Sequence, residues 1–434
     1  VEEVLARAGQ VAQEAEVFSV EMEETPVVFE ANRLKQLLTH SSRSLALRLV
    51  HNGRIGFSQT SGWEDGAALV EQALQVSQFG AEARFHFPSV QPVGAVEVYD
   101  PAVEQVSLED MVALGEALID GVRRSTPDLV CEARVSRGVA TMSIANTSGG
   151  RASYKQSYFG LDVEGVLVRG TDMLFVGDGQ SSCNPLRDPS QVVASVVRQL
   201  ELSRDTARAP SRPMPVVFTP LGVASSLFAP LAVGFNGRMV VQGASPLKDR
   251  VGEAVFDTKL SLVDDASQAY RPASRPWDDE GVSSRRISLV EEGVVAGFMY
   301  DLQTAGQAGT ESTGSAIREG RNLPAPGVSA LVVTPGEASL EEMIADMREG
   351  LVVEGLMGAE QGNVLGGDFS GNVLLGYWVE RGRIVGRVKD TMVSGNIYEV
   401  LKEVVAIGRE GRWVGSRLFT PPIYLPRLTV ATRG

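Results

Sequence analysis

The stretch Val130 to Gly179, "VCEARVSRGVATMSIANTSGGRASYKQSYFGLDVEGVLVRGTDMLFVGDG", constrains the chain more than any other. Apolar and polar residues alternate along it for about fifty residues, the period of a half-buried strand. Small-residue clusters interrupt it at Ser148-Gly149-Gly150 and Gly177-Asp178-Gly179, which read as turns. Strands joined by short turns with no helix between them predict an antiparallel meander.

The flanking segments bring helices to that meander. Val4, Leu5, Ala8, Val11 and Ala12 fall on one helical face, which predicts a helix over 1–16. Val17 to Glu30 alternates as a strand with a break at Pro26. "SLALRLVHNGRIGFSQT" places Asn52-Gly53 between two β-prone runs, the favoured pair for a tight hairpin. Helical spacing returns over 64–79, and 81–106 is a connector with Pro88, Pro92 and Pro101. A helix is expected over 108–124, with Ser107 and Asp110 at capping-box spacing, and another over 188–207. Further on, "RRISLVEEGVVAGFMYD" and "LLGYWVERGRIVGRVKD" read as hairpins using the same turn chemistry. Ser339 to Gly350 and Asn396 to Gly408 read as helices, and 243–284 as irregular. Mixed helices and largely antiparallel sheets in this order predict an α+β fold, not alternating βαβ units.

"APSRPMP" has three prolines in seven residues and no periodicity, so 209–215 is the expected linker. It divides an N-terminal α+β domain, 1–208, from a C-terminal α+β domain, 216–434. The chain of 434 residues is long enough for both to hold a core.

Composition excludes several function classes. The longest apolar runs fall far short of the roughly 20 residues that span a bilayer, so no membrane role is expected. A net charge of −14 with no local basic patch argues against nucleic-acid binding. Two cysteines without a CxxC spacing fit a reducing, cytoplasmic setting. The three histidines, His40, His51 and His86, share no helix and do not have the spacing of a metal site.

Candidate chemistry is sparse. "SSLFAPLAVGFNGRMVVQGASPLKDRVGE", Ser225 to Glu253, opens as an apolar helix feeding a polar loop, yet that helix has no His, Cys, Asp or Glu. "GTESTGSA" holds Ser312, Thr313, Gly314 and Ser315 without the order of a nucleophile elbow. Cys183, in the polar run "DGQSSCNP", is a candidate thiol with no histidine near it in sequence, whereas Cys131 reads as a core residue. "GGDFSG" places Asp368, Phe369 and Ser370 in a tight loop, and "VSGNI" places Asn396 just before a helix. Ser312, Thr313, Gly314, Asp368, Phe369, Ser370 and Asn396 are therefore the candidate cleft-lining or peptide-binding residues.

Five stretches together carry a resemblance. "NRLKQLLTHSSRSLALRLVHNGRIGFSQTSG", "RVGEAVFDTKLSLVDD", "LVVTPGEASLEEMIADMREGLVVEGLMG" and "GGDFSGNVLLGYWVERGRI" followed by "VSGNIYEVLKEVVAIG" are similar to signatures of the TldD/PmbA family, in the same order and over nearly the whole chain. The resemblance implies peptide processing in the cytoplasm by a two-part metallopeptidase. The TldD-like member carries an HExxxH helix, and the PmbA-like (TldE-like) member lacks it. Counting back from Glu253 puts Phe228 and Val233 where the family's two histidines stand, and Ala229 where its glutamate stands. The implied role is a non-catalytic partner with no metal of its own. Zinc is then expected only in a TldD-like subunit, and peptide is the shared substrate. A homodimer in isolation stays open. Two alternatives remain: a regulatory binding protein of the gyrase-modulator type, and an autonomous hydrolase using Ser312, Cys183 or an acid.

Overall fold

Alternation and turn chemistry build the N-terminal half around one large sheet. The computed structural model describes residues 1–61, 66–89, 96–318 and 322–433. The sheet contains β1 (Glu14–Glu30), β2 (Arg33–Leu37), β3 (His40–His51), β4 (Arg54–Thr60), β5 (Val130–Asn146), β6 (Arg151–Arg169) and β7 (Asp172–Ser182). Its order is β4-β3-β1-β5-β6-β7, antiparallel throughout, with β2 beside the far end of β1. The Asn52-Gly53 hairpin forms as expected, with φ of 51° and 71° at the two turn residues. Glu292-Gly293 and Arg381-Gly382 repeat that left-handed pair, so the two later hairpins do share their turn chemistry.

Four helices accompany the sheet: α1 (Glu2–Ala8), α2 (Gly66–Ser77), α3 (Leu108–Arg123) and α4 (Ser190–Leu202). Ser107 and Asp110 form the expected capping box on α3. Glu64 and Asp65 of the predicted second helix, and Pro92 of the connector, lie outside the described residues.

Several boundaries differ from expectation. The first helix ends at Ala8 because Glu14 already pairs with Val50 in the sheet. Pro26 does not break β1. It falls after the last pair with β3 and before the first with β2, where the ladder on that side is interrupted anyway. Gly177-Asp178-Gly179 is not a turn but lies inside β7, paired with Asp162 to Glu164, and the chain reverses instead at Gly170. The helix expected to reach 207 stops at Leu202, and Thr206–Ala207 pairs with Arg387–Val388. The helix begun at Ser339 ends at Asp346, and the one begun at Asn396 is a single turn, Ile397–Val400.

In the C-terminal half five strands close on themselves. Glu349–Met357 pairs with Met214–Phe218, then Ile423–Thr432, Thr391–Asn396 and Asp368–Glu380 follow, and the last returns to the first. Met214 and Pro215 thus belong to a strand. Its alternation serves two cores. Val216 and Phe218 join a cluster with Leu227, Leu231 and Phe235, whereas Val217 joins one that contains Phe29, Met111 and Leu118 from the N-terminal half. One hydrophobic core therefore spans both halves of the chain. No helix among the described residues is long and apolar enough to cross a membrane.

Candidate functional site

The apolar segment after Phe218 folds as three short helices: α5 (Pro220–Ser226), α6 (Phe228–Gly234) and α7 (Gly237–Val241). Thr219 caps α5, with Pro220 in the first turn where its missing N–H costs nothing. Pro230 has the same tolerance in the first turn of α6, so the chain breaks at Leu227 instead of forming one longer helix. Pro230, Leu231 and Gly234 face the core, while Phe228, Ala229, Ala232 and Val233 are half-buried. Gly234 is required by packing: a Cβ there would collide with the Tyr398 hydroxyl.

Phe228, Ala229 and Val233 present a phenyl, a methyl and an isopropyl group. None has a lone pair to offer a cation, so these residues do not fit a metal of the kind an HExxxH helix binds. Among the described residues no three His, Cys, Asp or Glu side chains gather as a metal-holding group elsewhere.

The candidate cleft residues fall into two groups. Asp368 and Asn396 are cross-strand partners, and Asn396 Nδ2 donates to Asp368 Oδ1 and to the Gly366 carbonyl, both at 2.8 Å. Asn396 Oδ1 caps the next turn at Tyr398 N, and Tyr398 runs back to Gly234 on α6. Burial pushes the Tyr398 phenol up to about 12, and its hydroxyl has no hydrogen-bond partner. Asp368 and Ser370 are exposed, but Phe369 points the other way and is 1% exposed against Phe218. Phe369 is thus a core residue and unavailable to a ligand.

The second group is Ser312, Thr313 and Gly314. The Tyr300 carbonyl accepts from Ser312 Oγ at 3.2 Å and Thr313 Oγ1 at 3.0 Å, so both hydroxyls are engaged. Gly314 has φ of 74°, and a Cβ would press on the Ser283 carbonyl. Neither hydroxyl has an imidazole beside it. Cys183 is fully buried, with its thiol pushed up to about 12 by burial, which differs from the accessible loop thiol that its polar neighbours suggested.

A cluster of buried charge lies elsewhere, between the N-terminal sheet and the loops of the C-terminal half. Glu16 on β1 and Arg48 on β3 are cross-strand partners and both are buried. Arg48 also donates to Glu280, and Arg318 Nη2 reaches Glu16 Oε1 at 2.5 Å. Burial opposes the Arg48 charge, but Glu16 and Glu280 outweigh it and hold the guanidinium protonated. Asp278 is pushed up to about 7 by burial and the neighbouring Glu280 charge, against the pull of Arg275. Asp301 is raised to about 6 by burial and Glu280, while its carboxylate caps the helix at Leu302–Ala308. The sequence signal for this cluster was an arginine inside the apolar run "LALRLVH" and the acidic run Asp278 to Glu280.

Residues 211–432 match the PmbA/TldA metallopeptidase C-terminal domain, and residues 15–77 match PmbA/TldA metallopeptidase domain 1. The chain belongs to the PmbA/TldD family. Among its relatives in that family, an uncharacterized protein of Methanocaldococcus jannaschii is 25% identical over 91% of this chain and 91% of its own length. A Haemophilus influenzae protein named a metalloprotease TldD homolog is 24% identical over 93% of this chain and 89% of its own. The crystal structure of TldE from Thermococcus kodakarensis superposes with a TM-score of 0.90 at 22% identity, over 99% of both chains. A Thermotoga maritima protein described as a candidate modulator of a DNA gyrase gives a TM-score of 0.88 at 23% identity, over 99% of this chain and 100% of its own. The family is metallopeptidase-related, and the chain shares the fold of the Thermococcus kodakarensis and Thermotoga maritima proteins.

Proposed function

We propose that this chain is the non-catalytic subunit of a two-part cytoplasmic metallopeptidase, in which a TldD-like partner holds the zinc. The observation that carries this reading is α6. Family membership supplies a peptidase framework, yet the half-buried face of that helix offers only Phe228, Ala229, Ala232 and Val233. A metal activates water only where side chains hold it. The helix is retained because its other face, Leu231 and Gly234, packs into the core beneath Tyr398.

In this role the chain completes a shared chamber and holds unstructured peptide. Asp368, Ser370 and Asn396, with Ser312, Thr313 and Gly314, are the candidate contacts. Phe369 serves the core behind them.

The test is peptidase activity and metal content, measured on the purified chain and again after co-purification with a TldD-like protein from the same source. The reading expects no cleavage by this chain alone and chelator-sensitive cleavage by the pair. Chelator-resistant cleavage by this chain alone would overturn it. A stable complex with gyrase and none with a TldD-like protein would support the regulatory reading instead.

A further inference from the structure

A cavity of about 300 Å³ lies between the N-terminal sheet and the loop 272–275. Its floor is one face of the sheet: Phe18 and Val20 on β1, Met142 on β5 and Tyr154 on β6. Val20 pairs with Met142, and Met142 with Tyr154, so these side chains form a single row. The far wall holds Arg275, Arg318 and the exposed Arg417, against one acid, Asp279.

The hydrogen bonds of that wall do not close. Arg275 Nη2 donates to Ser329 Oγ and Nη1 to Asp279, but Arg275 Nε has no partner. Arg318 donates through Nη2 to Glu16 and through Nε to the Asp279 carbonyl, but its Nη1 has none. The Ser274 hydroxyl is a third buried group without a partner. Three residues that line one cavity, Arg275, Arg318 and Ser274, thus each carry a buried polar group without an acceptor. Buried donors are rarely left so, because each unmade bond carries the desolvation cost of its group.

The acids behind the wall are turned to other donors. Asp264 accepts from the backbone N–H groups of Ser329 and Ala330. Asp278 accepts from those of Glu280, Val282 and Ala316. Glu280 takes Arg48 and the Leu302 N–H.

A second cavity, of about 490 Å³, begins where Gln156 and Pro272 close the first, and both residues line both spaces. Gln156 Nε2 donates to the carbonyls of Pro272 and Ser274 and so pins the loop to the sheet between them. The floor continues as Met22, paired with Ala140, which pairs with Gln156. From Val20 to Glu24 the floor runs about 13 Å, the length of roughly four extended residues.

We propose that this cleft takes the C-terminal carboxylate of a peptide whose last side chains are apolar. The carboxylate supplies acceptors to Arg275, Arg318 and Ser274, the planar pairing that guanidinium groups favour. The apolar row on β1 and β5 takes the side chains that precede it. The proposal rests on the peptide-handling reading above, and it names which end of the peptide this subunit holds.

The experiment uses this chain alone, without a partner. A pentapeptide ending in Leu-Val-Leu, fluorescein-labelled at its N-terminus, is titrated by fluorescence anisotropy as the free acid and as the C-terminal amide. The expected result is at least tenfold weaker binding of the amide. A similar loss is expected for the free acid with Arg275→Met and with Arg417→Met, and displacement by the unlabelled acid but not by acetate at equal concentration. Val20→Trp, which fills the floor from a half-buried position, keeps the test open if Arg275→Met does not fold, and it should also abolish binding. Equal binding of acid and amide, no binding of either, or binding unaffected by Arg417→Met and Val20→Trp would overturn the proposal. Assembly with a TldD-like protein is scored separately, so failure of the cleft and failure of the subunit reading are distinguishable.

Discussion

Arg318 and Glu16 stand 302 positions apart in the sequence and 2.5 Å apart in the structure. Their pairing, with Arg48 and Glu280 beside it, ties the N-terminal sheet to the C-terminal loops through charges that water does not reach. A buried ion pair is weak evidence of net stability, but removing one member strands the other. Arg318→Met should therefore destabilise the chain by roughly 3–5 kcal/mol, and Glu16→Gln by a similar amount. The double variant should lose clearly less than the sum, because neither charge is then left alone. Urea unfolding of the four proteins measures this. Strict additivity would mean that the two side chains do not interact in solution.

The same cluster makes stability depend on pH with a definite sign. Asp278 is raised to about 7, against about 3.9 for an unfolded aspartate. A carboxyl whose folded pKa is raised stabilises the fold fully below the unfolded value and loses that contribution as pH climbs through the folded one. Stability should therefore decline between about pH 4 and pH 7. Asp264 and Asp301, each raised to about 6 chiefly by burial, add to the decline in the same direction. Asp278→Asn should flatten the slope across that window whatever its absolute stability. Thermal melts at pH 5, 6, 7 and 8 are sufficient, and parallel curves for variant and parent would refute the assignment.

Gly234 and Tyr398 make a second coupled pair. Alanine is normally better than glycine inside a helix by about 1 kcal/mol. Here the added methyl meets the Tyr398 hydroxyl, so Gly234→Ala should destabilise by roughly 1–3 kcal/mol. Tyr398→Phe removes a buried hydroxyl that has no partner and should be nearly neutral. Combined with Gly234→Ala it should restore most of the loss. A double variant no more stable than Gly234→Ala would place the strain elsewhere.

The α+β class, the Asn52-Gly53 hairpin and the α3 capping box were legible because each rests on contacts within a few residues. The helix ends were not. Gly350 and Ala406 look helical in isolation, but strand partners from distant segments claim them. Gly177 and Gly179 resemble turn residues, although in β7 they lie against β6 and leave Asp178 free to pair with Arg412. The changed face of α6 was visible in sequence only through the resemblance, since an apolar helix by itself reads as core. The orphan donors around the cleft left no local trace, because Arg275 and Arg318 are far apart in the sequence and come together only at Asp279.

Cys183 illustrates how far burial overrides local sequence. Its neighbours Ser181, Ser182 and Asn184 suggest an accessible thiol, yet the side chain is fully buried and its pKa is raised to about 12. Nucleophilic attack requires the thiolate, which at pH 8 is then about one part in ten thousand, against about a quarter for a free cysteine. Cys131 is also buried, with its thiol pushed up to about 11. The native chain should therefore release almost no colour from Ellman's reagent at pH 8 over an hour, and two equivalents after unfolding in urea. Cys183→Ala should leave any activity of the paired enzyme unchanged. One fast equivalent in the native state, together with activity lost in Cys183→Ala, would revive the autonomous thiol hydrolase and count against a subunit without chemistry of its own.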